Sequence, residues 1–171
     1  MPYRPTARTE ARKHRTREAI LAAALDQVAA AGYRSGSIQA IAVRAGLGTG
    51  TVYRYFPSKS ELFAEVFERA SRRELAVLEQ IAGESSRPAM ERIAACVEVF
   101  ARRALAGPRL AYAQIAEPVD HRVDSERLAL RRGYRDVFAG LLREGIDRGE
   151  IARQDPETCL LYTSDAADDL T

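Results

Sequence analysis

The 171-residue sequence contains only two cysteines, two histidines and no run of apolar residues long enough to cross a membrane. Cys96 and Cys159 are too few for a disulfide framework, and the N-terminus lacks the continuous apolar stretch of a signal peptide. The sequence therefore predicts a soluble protein of one or two small domains in the reducing environment of the cytoplasm.

Residue types that most catalytic sites need are scarce and scattered. His14 lies among arginines, and His121 follows the acidic residues Glu117 and Asp120, for which helix capping is a simpler interpretation than a metal or general-base site. The glycines at positions 46–50 are not followed by the Gly-Lys-Ser/Thr of a phosphate-binding loop. We therefore predict no enzymatic activity, no cofactor and no metal ion.

Basic residues, in contrast, are concentrated at one end of the chain. Residues 1–60 carry 10 Lys and Arg against 3 Asp and Glu, whereas residues 61–171 carry 16 against 21. The basic end is expected to meet a polyanion. Six basic residues precede or open the first helix, where a flexible arm could follow a minor groove, screen phosphates or remain a solvated tail. These residues are Arg4, Arg8, Arg12, Lys13, Arg15 and Arg17.

The segment SIQAIAVRAGLGTGTVYRYFPSK is typical of a helix-turn-helix. Ser37 is placed to cap a short helix, and Gly46 supplies the residue tolerant of positive φ on which that helix ends. Val52 and Phe56 would form the buried side of a second helix after Gly48, which leaves a small, polar outer face. Small side chains allow such a helix to approach base edges closely.

This segment resembles the DNA-binding domain of the tetracycline-repressor (TetR) family of bacterial transcriptional regulators. The family pattern stands here as Ala45-Gly46 in the turn, followed by Gly50-Thr51-Val52-Tyr53-Arg54-Tyr55-Phe56. The resemblance implies that a double-stranded DNA operator is the partner. Carried over by position, it implies phosphate contacts from Ser37, Tyr53, Tyr55 and Lys59, an additional backbone contact from Arg54, and base-edge contacts from Gln39, Thr49, Gly50 and Thr51.

Helical periodicity over the whole chain predicts seven helices and no strands. The first helix is expected to run from about Arg12 to Ala31, and Ser58 with Glu61 forms a capping box that opens the fourth. Asp124 or Ser125 is the predicted cap of the last long helix.

The predicted fold is all-α. A three-helix helix-turn-helix domain in residues 1–59 is joined by a connecting helix to a helical effector-binding and dimerisation domain in residues 60–158.

The resemblance also implies a pocket for a small-molecule effector between the middle helices. Apolar side chains at helical spacing suit a pocket lining and a packed core equally, so both interpretations stay open. The candidate ligand-binding residues are Phe67, Val97, Phe100, Tyr112, Ile115, Tyr134 and Phe138.

The end of the chain departs from the family pattern. Residues 159–171 contain the string CLLYTSDAADD, which looks like the translation of a sequencing adapter, and we interpret this stretch as a non-native tail. The resemblance implies two further helices after Asp155 that pack against those of a second subunit. We expect a homodimer for the full-length parent and a monomeric or aggregation-prone product for this chain.

The predicted function is that of a ligand-responsive DNA-binding transcriptional regulator, a repressor that releases its operator when it binds a small molecule. Two alternatives remain at this point. One is a transcriptional activator of the same fold, and the other is a ligand-binding helical module whose basic domain contacts another protein.

Overall fold

The computed structural model describes residues 6–158 and 160 of the chain. Within these residues the protein forms seven α-helices up to residue 147, a further helical segment at residues 156–158 and no strands, which confirms the predicted fold class, and none of the helices is long and apolar enough to span a membrane. The predicted non-native tail lies outside the described residues except for Leu160, as does Arg4. The helices are α1 (Ala7–Ala31), α2 (Ile38–Arg44), α3 (Thr49–Tyr55), α4 (Lys59–Ala82), α5 (Ala89–Ala106), α6 (Pro108–Ile115) and α7 (His121–Asp147).

The helices form two compact units. The N-terminal unit contains residues 6–69 and 107–126, and the second unit contains the remaining described residues. The N-terminal unit is thus larger than the segment 1–59 expected from the sequence, because the start of α4, all of α6 and the start of α7 pack with the first three helices.

An apolar core holds the N-terminal unit together. The inward face of α1 repeats at helical spacing through Ile20, Ala24 and Val28, each of them fully buried. Burying a valine or isoleucine side chain stabilises a fold by roughly 1.5 to 3 kcal/mol. The other large buried members of this core are Leu21, Tyr33, Ile38, Ile41, Val52, Phe56, Leu62, Phe63, Val66, Phe67 and Val123.

Two of the predicted helix starts are confirmed by their caps. The Ala40 N–H donates to Ser37 Oγ at 3.1 Å, and the Glu61 N–H donates to Ser58 Oγ at 3.1 Å. Each bond satisfies one of the backbone donors that the first turn of a helix leaves unpaired.

The predicted starts of α1 and α7 are wrong by several residues. α1 begins at Ala7 instead of about Arg12, because Thr6 accepts from the Thr9 N–H at 3.3 Å and caps the helix. Neither Asp124 nor Ser125 caps α7. Asp120 does, since its carboxylate accepts from the first N–H groups of the helix, those of residues 122 and 123, at 3.2 Å each.

The second unit has a smaller core around Leu78, Cys96 and Leu141. A fully buried arginine, Arg92, lies beside it and donates to the Ala82 carbonyl and to the Glu144 carboxylate at 2.6 Å each. The arginine therefore ties the end of α4 to α7 through α5.

Gly46 provides a test of the turn between α2 and α3. Its φ is +67°, and a Cβ added there would meet no atom within 4 Å, so Gly46→Ala should cost only the left-handed backbone, about 1 to 2 kcal/mol. Gly50 is equally open but helical, and Gly50→Ala should stabilise by up to about 1 kcal/mol. Urea denaturation followed by circular dichroism measures both changes, and a loss of the same size in the two variants would contradict the assigned turn.

Candidate nucleic-acid interface

The turn between α2 and α3 is held by two glycine-dependent backbone bonds. The Gly46 N–H donates to the Val43 carbonyl at 3.1 Å, and the Leu47 N–H donates to the Ala42 carbonyl at 2.9 Å. This pattern is the C-terminal motif that a residue at positive φ makes possible. It turns the chain sharply, so that α3 follows α2 after four residues.

The inner side of α3 is fixed and its outer side is open. Val52 and Phe56 are buried in the core of the N-terminal unit, at 0% and 2% exposure. Gly50, Arg54 and Tyr53 are exposed, the tyrosine by 46%. Of the other predicted contacts on the α2–α3 pair, Gln39 is exposed, and Ser37, Thr49, Thr51 and Tyr55 are half-buried.

Lys59 differs from the rest of the predicted contact set. Its ammonium nitrogen lies 4.6 Å from the ring centre of Tyr33, 5.5 Å from that of Phe63 and 3.5 Å from the Arg34 carbonyl. Burial lowers the pKa of Lys59, against the attraction of the Asp120 and Glu117 carboxylates. The side chain is therefore folded against aromatic rings, where it contributes a cation–π contact.

A buried carboxylate joins α6 to the turn that precedes α2. Glu117, which is only 6% exposed, accepts from the Tyr33 N–H at 2.8 Å and from the Arg34 N–H at 3.0 Å. These donors follow Gly32, whose φ of +79° ends α1. A Cβ at Gly32 would lie 3.0 Å from a Glu117 oxygen, so glycine is required there by both its backbone and its neighbour.

Asp120 makes a second connection to the same region. Its carboxylate accepts from the Tyr33 hydroxyl and from Ser60 Oγ, the latter at 2.9 Å, while it caps α7. Burial alone would raise the pKa of Asp120, but these hydrogen bonds outweigh burial and hold the pKa below its usual value. For Tyr33, burial and the same carboxylate both raise the pKa of the phenol.

A cluster of charged side chains on α1 and α4 contacts the end of α3. Arg17 of α1 donates to Glu65 of α4 through both terminal nitrogens, and its guanidinium carbon lies 4.8 Å from the ring centre of Phe56. Arg69 extends the cluster with bonds to Glu18 at 2.7 Å and Glu65 at 2.9 Å. The residue that ends α3 is therefore held between α1 and α4.

Sequence reasoning missed two parts of this region, and only the second of them had a signal in the sequence pattern. One is the pair Glu117 and Asp120, whose partners on Tyr33 lie 84 and 87 residues away. The other is Val43, which is 81% exposed beside Gln39 and Arg44 in a shallow groove that Gln27 and Ala40 also line. An apolar residue on the outer face of a DNA-reading helix pair was a detectable signal, because it breaks the helical apolar spacing of α2.

The predicted effector residues fall in both units. Phe67 is buried in the core of the N-terminal unit, whereas Tyr112 and Ile115 of the same unit are exposed. In the second unit, the ring of Phe100 packs edge-on against Tyr134 at 5.7 Å between centres. Phe138 is half-buried, and Val97 is exposed by 52%. Their role in ligand binding stays a prediction.

Residues 20–66 match the family model of the bacterial regulatory proteins of the tetR family. The matched range contains the inward face of α1, the α2–α3 pair and the start of α4. This segment of the chain is a DNA-binding domain of the TetR type. The positive-φ turn and the open outer face of α3 are the features that a helix-turn-helix needs to place its second helix in the major groove.

Regulators of fatty acid metabolism are similar over most of the chain. The fatty acid metabolism regulator protein of Bacillus subtilis (strain 168) is 26% identical over 134 residues, which cover 77% of this chain and 69% of that protein. The crystal structure of the B. subtilis regulator FadR in complex with stearoyl-CoA has a TM-score of 0.74 at 24% identity, over 89% of this chain and 83% of that one. The fatty acid degradation regulator FadR of Bacillus halodurans has a TM-score of 0.75 at 22% identity, over 90% of this chain and 80% of that one.

The lowered pKa of Asp120 makes a prediction about acid stability. A group whose pKa is depressed by folding stabilises the protein above its unfolded pKa, about 3.9, and this contribution is lost as the pH falls through the lower folded value. Asp120→Asn should therefore lower the free energy of unfolding by about 1.5 to 3 kcal/mol at neutral pH. Below about pH 4 the free energy of unfolding of the variant should fall less than that of the parent.

Denaturation midpoints across this pH range measure the effect. Asp26→Asn is the matched control, because Asp26 is largely exposed and its ion pair with Arg44 is long, at 3.6 Å. An Asp120→Asn protein with the same acid-induced loss as the parent would contradict the assignment.

Proposed function

We propose that this TetR-family protein is a transcriptional repressor that binds its operator through the α2–α3 pair and releases it on binding a long-chain acyl-CoA. The observation that carries the DNA-binding part is the two-sided character of α3. Val52 and Phe56 fix the helix in the core, while Gly50, Tyr53 and Arg54 remain exposed on the opposite side. A helix held rigidly from behind, with a small outer face, suits insertion into a major groove about 12 Å wide.

The proposed contacts divide into two classes. Thr49, Gly50, Thr51 and Gln39 would meet base edges, because their side chains are short or reach outward from the first turns of α2 and α3. Hydroxyl and charged groups at the rim, on Ser37, Tyr53, Arg54, Tyr55 and Lys59, would meet phosphates. Lys59 must leave its position over Tyr33 to do so, since its ammonium now lies 4.6 Å from the centre of that ring.

We propose a homodimer as the operator-bound state. Proteins that read DNA with a helix-turn-helix bind two half-sites about 34 to 36 Å apart, so that the two-fold symmetry of the protein matches that of the operator. Two linked contacts also raise the effective affinity well above that of one.

An acyl-CoA is the effector class that the relatives support. The B. subtilis regulator of 26% identity is named for fatty acid metabolism, and the structure of FadR from that organism holds stearoyl-CoA. Several predicted effector residues of the second unit, Val97, Phe100, Tyr134 and Phe138, are apolar or aromatic, as an acyl chain requires.

Two variants test the proposal that α3 binds DNA, because one should change base preference and the other should change overall affinity. Thr49→Ala should change base preference at one operator position, where a mismatched pair costs about 1 to 3 kcal/mol. Tyr53→Phe should weaken binding to every sequence alike, by about fivefold, because it removes one phosphate-facing hydroxyl worth about 1 kcal/mol. Selection from a random duplex library gives the preference, and fluorescence anisotropy gives the affinity.

Tyr112→Phe is the matched control for the lost hydroxyl, since Tyr112 is 55% exposed on α6. The assignment fails if Thr49→Ala leaves the selected sequence unchanged, or if Tyr53→Phe and Tyr112→Phe have the same effect.

The effector assignment is tested by titrating the complex of protein and selected duplex with stearoyl-CoA. Operator affinity should fall by about 5- to 150-fold at saturation, the range that a coupling free energy of about 1 to 3 kcal/mol gives. Free CoA should have no effect, because it lacks the acyl chain. Direct binding of stearoyl-CoA without loss of operator affinity would argue against release as the mechanism, and no binding would exclude this effector class.

A further inference from the structure

A buried side-chain amide on α6 has no hydrogen-bond partner in the described part of the chain. It belongs to Gln114, whose amide nitrogen Nε2 is fully enclosed by the protein. Nearly all buried polar groups in folded proteins are paired, because a donor that has lost water and gained no acceptor destabilises the fold. The Gln114 amide therefore calls for an acceptor that the described residues do not supply.

Gln114 lies at the edge of the face that α6 packs against the core of the N-terminal unit. Ala113 is completely buried in that core, and Leu110 packs against it. Successive residues of an α-helix are rotated by about 100°, so Gln114 is one step around the helix from Ala113. Tyr112 and Ile115 lie on the outer side, exposed by 55% and 44%. The amide thus sits where the buried side of α6 meets its exposed side.

The hydrogen bonds at both ends of α6 prevent the helix from turning this amide toward an acceptor. At the start of the helix, Arg109 donates to the Ala30 carbonyl at the end of α1. Just beyond its end, Glu117 accepts from two consecutive backbone N–H groups of the loop that follows α1, at 2.8 and 3.0 Å. A rotation of α6 would break these bonds. The backbone of Gln114 is therefore fixed, and the acceptor has to come from outside the chain.

The surroundings of Gln114 favour an acceptor without charge. Residues 110–116 contain no charged side chain, and the next residue is the acidic Glu117. An anionic oxygen buried against the amide would find no cation in this stretch, and burying an unpaired charge is far more costly than burying a neutral polar group. A ketone, ester, thioester or amide carbonyl meets the requirement, since its oxygen accepts a hydrogen bond and carries no net charge.

One carbonyl of the proposed effector fits a buried donor better than the others. In an acyl-CoA the thioester carbonyl is bonded directly to the apolar acyl chain, whereas the amide carbonyls lie further along, toward the polar nucleotide. A donor at the edge of an apolar core is reached by the part of the ligand that leaves water with the acyl chain. The thioester oxygen leaves water with that chain, so it needs a donor within the protein.

We propose that Gln114 determines effector specificity by donating a hydrogen bond from Nε2 to the thioester carbonyl oxygen of a bound acyl-CoA. The bond gives an unpaired donor its acceptor, so the ligand gains it without breaking a hydrogen bond within the protein. The residue thereby distinguishes an acyl-CoA from a molecule with the same apolar chain and no carbonyl. This inference rests on the effector class proposed above.

The first test changes the ligand and leaves the protein intact. The parent chain is titrated with stearoyl-CoA and with its thioether analogue, in which a methylene group replaces the carbonyl. Stearoyl-CoA should bind about tenfold more tightly, the factor that a hydrogen bond worth about 1.4 kcal/mol gives. Equal affinities would overturn the inference and leave the proposed function standing. If the parent bound neither compound, both the proposed effector class and the inference would fail.

The second test removes the donor from the protein. Gln114→Met keeps a long, unbranched side chain and should bind the two compounds equally, with the loss confined to stearoyl-CoA. Gln80→Met is the matched control, because Gln80 is an exposed glutamine on α4 of the second unit. It should keep the parent's preference for the thioester. A preference that survives in Gln114→Met, or disappears in both variants, would contradict the proposed contact.

Urea denaturation without ligand separates a ligand contact from a structural role. Removing an unpaired buried donor relieves a cost, so Gln114→Met should be at least as stable as the parent. A less stable variant that binds both compounds more weakly, by the same factor, would show that the amide supports the fold, and it would overturn the inference.

Infrared spectroscopy observes the hydrogen bond itself. The complexes are formed with stearoyl-CoA that is isotopically labelled at the thioester carbon, so that its carbonyl stretch is resolved from the amide bands. A hydrogen bond weakens the carbonyl bond, and the stretch should therefore lie at lower frequency in the parent complex than in the Gln114→Met complex. Equal frequencies in the two complexes would rule out the bond.

Discussion

The geometry of the reading helices depends on one carboxylate, that of Glu117. Its two oxygens accept from consecutive backbone N–H groups, on Tyr33 and Arg34, immediately after α1 has ended on a left-handed glycine. Backbone donors buried without an acceptor cost about 1 to 3 kcal/mol each, so the loop between α1 and α2 needs this acceptor to leave α1 at its observed angle. The position of α2, and of α3 after it, follows from that angle.

The same carboxylate makes residues 107–126 part of the DNA-binding unit. Asp120 bonds to Tyr33 and Ser60, and Arg109 donates to the Ala30 carbonyl at the end of α1, so three side chains of this segment hold one end of the helix-turn-helix. A charge-assisted hydrogen bond is worth about 1.5 to 3 kcal/mol. That is comparable with the coupling free energy of a typical allosteric protein, about 1 to 3 kcal/mol.

The features that the sequence predicted well are those with local causes. Ser37, Ser58 and Gly46 act on backbone groups within five residues, and each does what its residue type and position indicated. Local rules also set the limits of the prediction, since Thr6 and Asp120 cap helices earlier than the apolar periodicity suggested. The role of Glu117 could not be predicted, because nothing in a Glu-Pro pair indicates that the carboxylate accepts from donors more than eighty residues upstream.

The number of basic residues in the sequence overstates the positive charge that the folded protein can present to DNA. A count over residues 1–60 suggests a uniformly basic surface, but arginines that are paired with carboxylates contribute little to a field felt by DNA. Arg17 and Arg44 have such partners in Glu65 and Asp26, and Lys59 is folded over aromatic rings. The charge left to meet phosphates is therefore carried by exposed arginines that have no acidic partner among the described residues, Arg34 and Arg54 among them. Because counterion release depends on the charges that reach phosphates, this smaller set, and not the net charge of the domain, determines the salt dependence of binding.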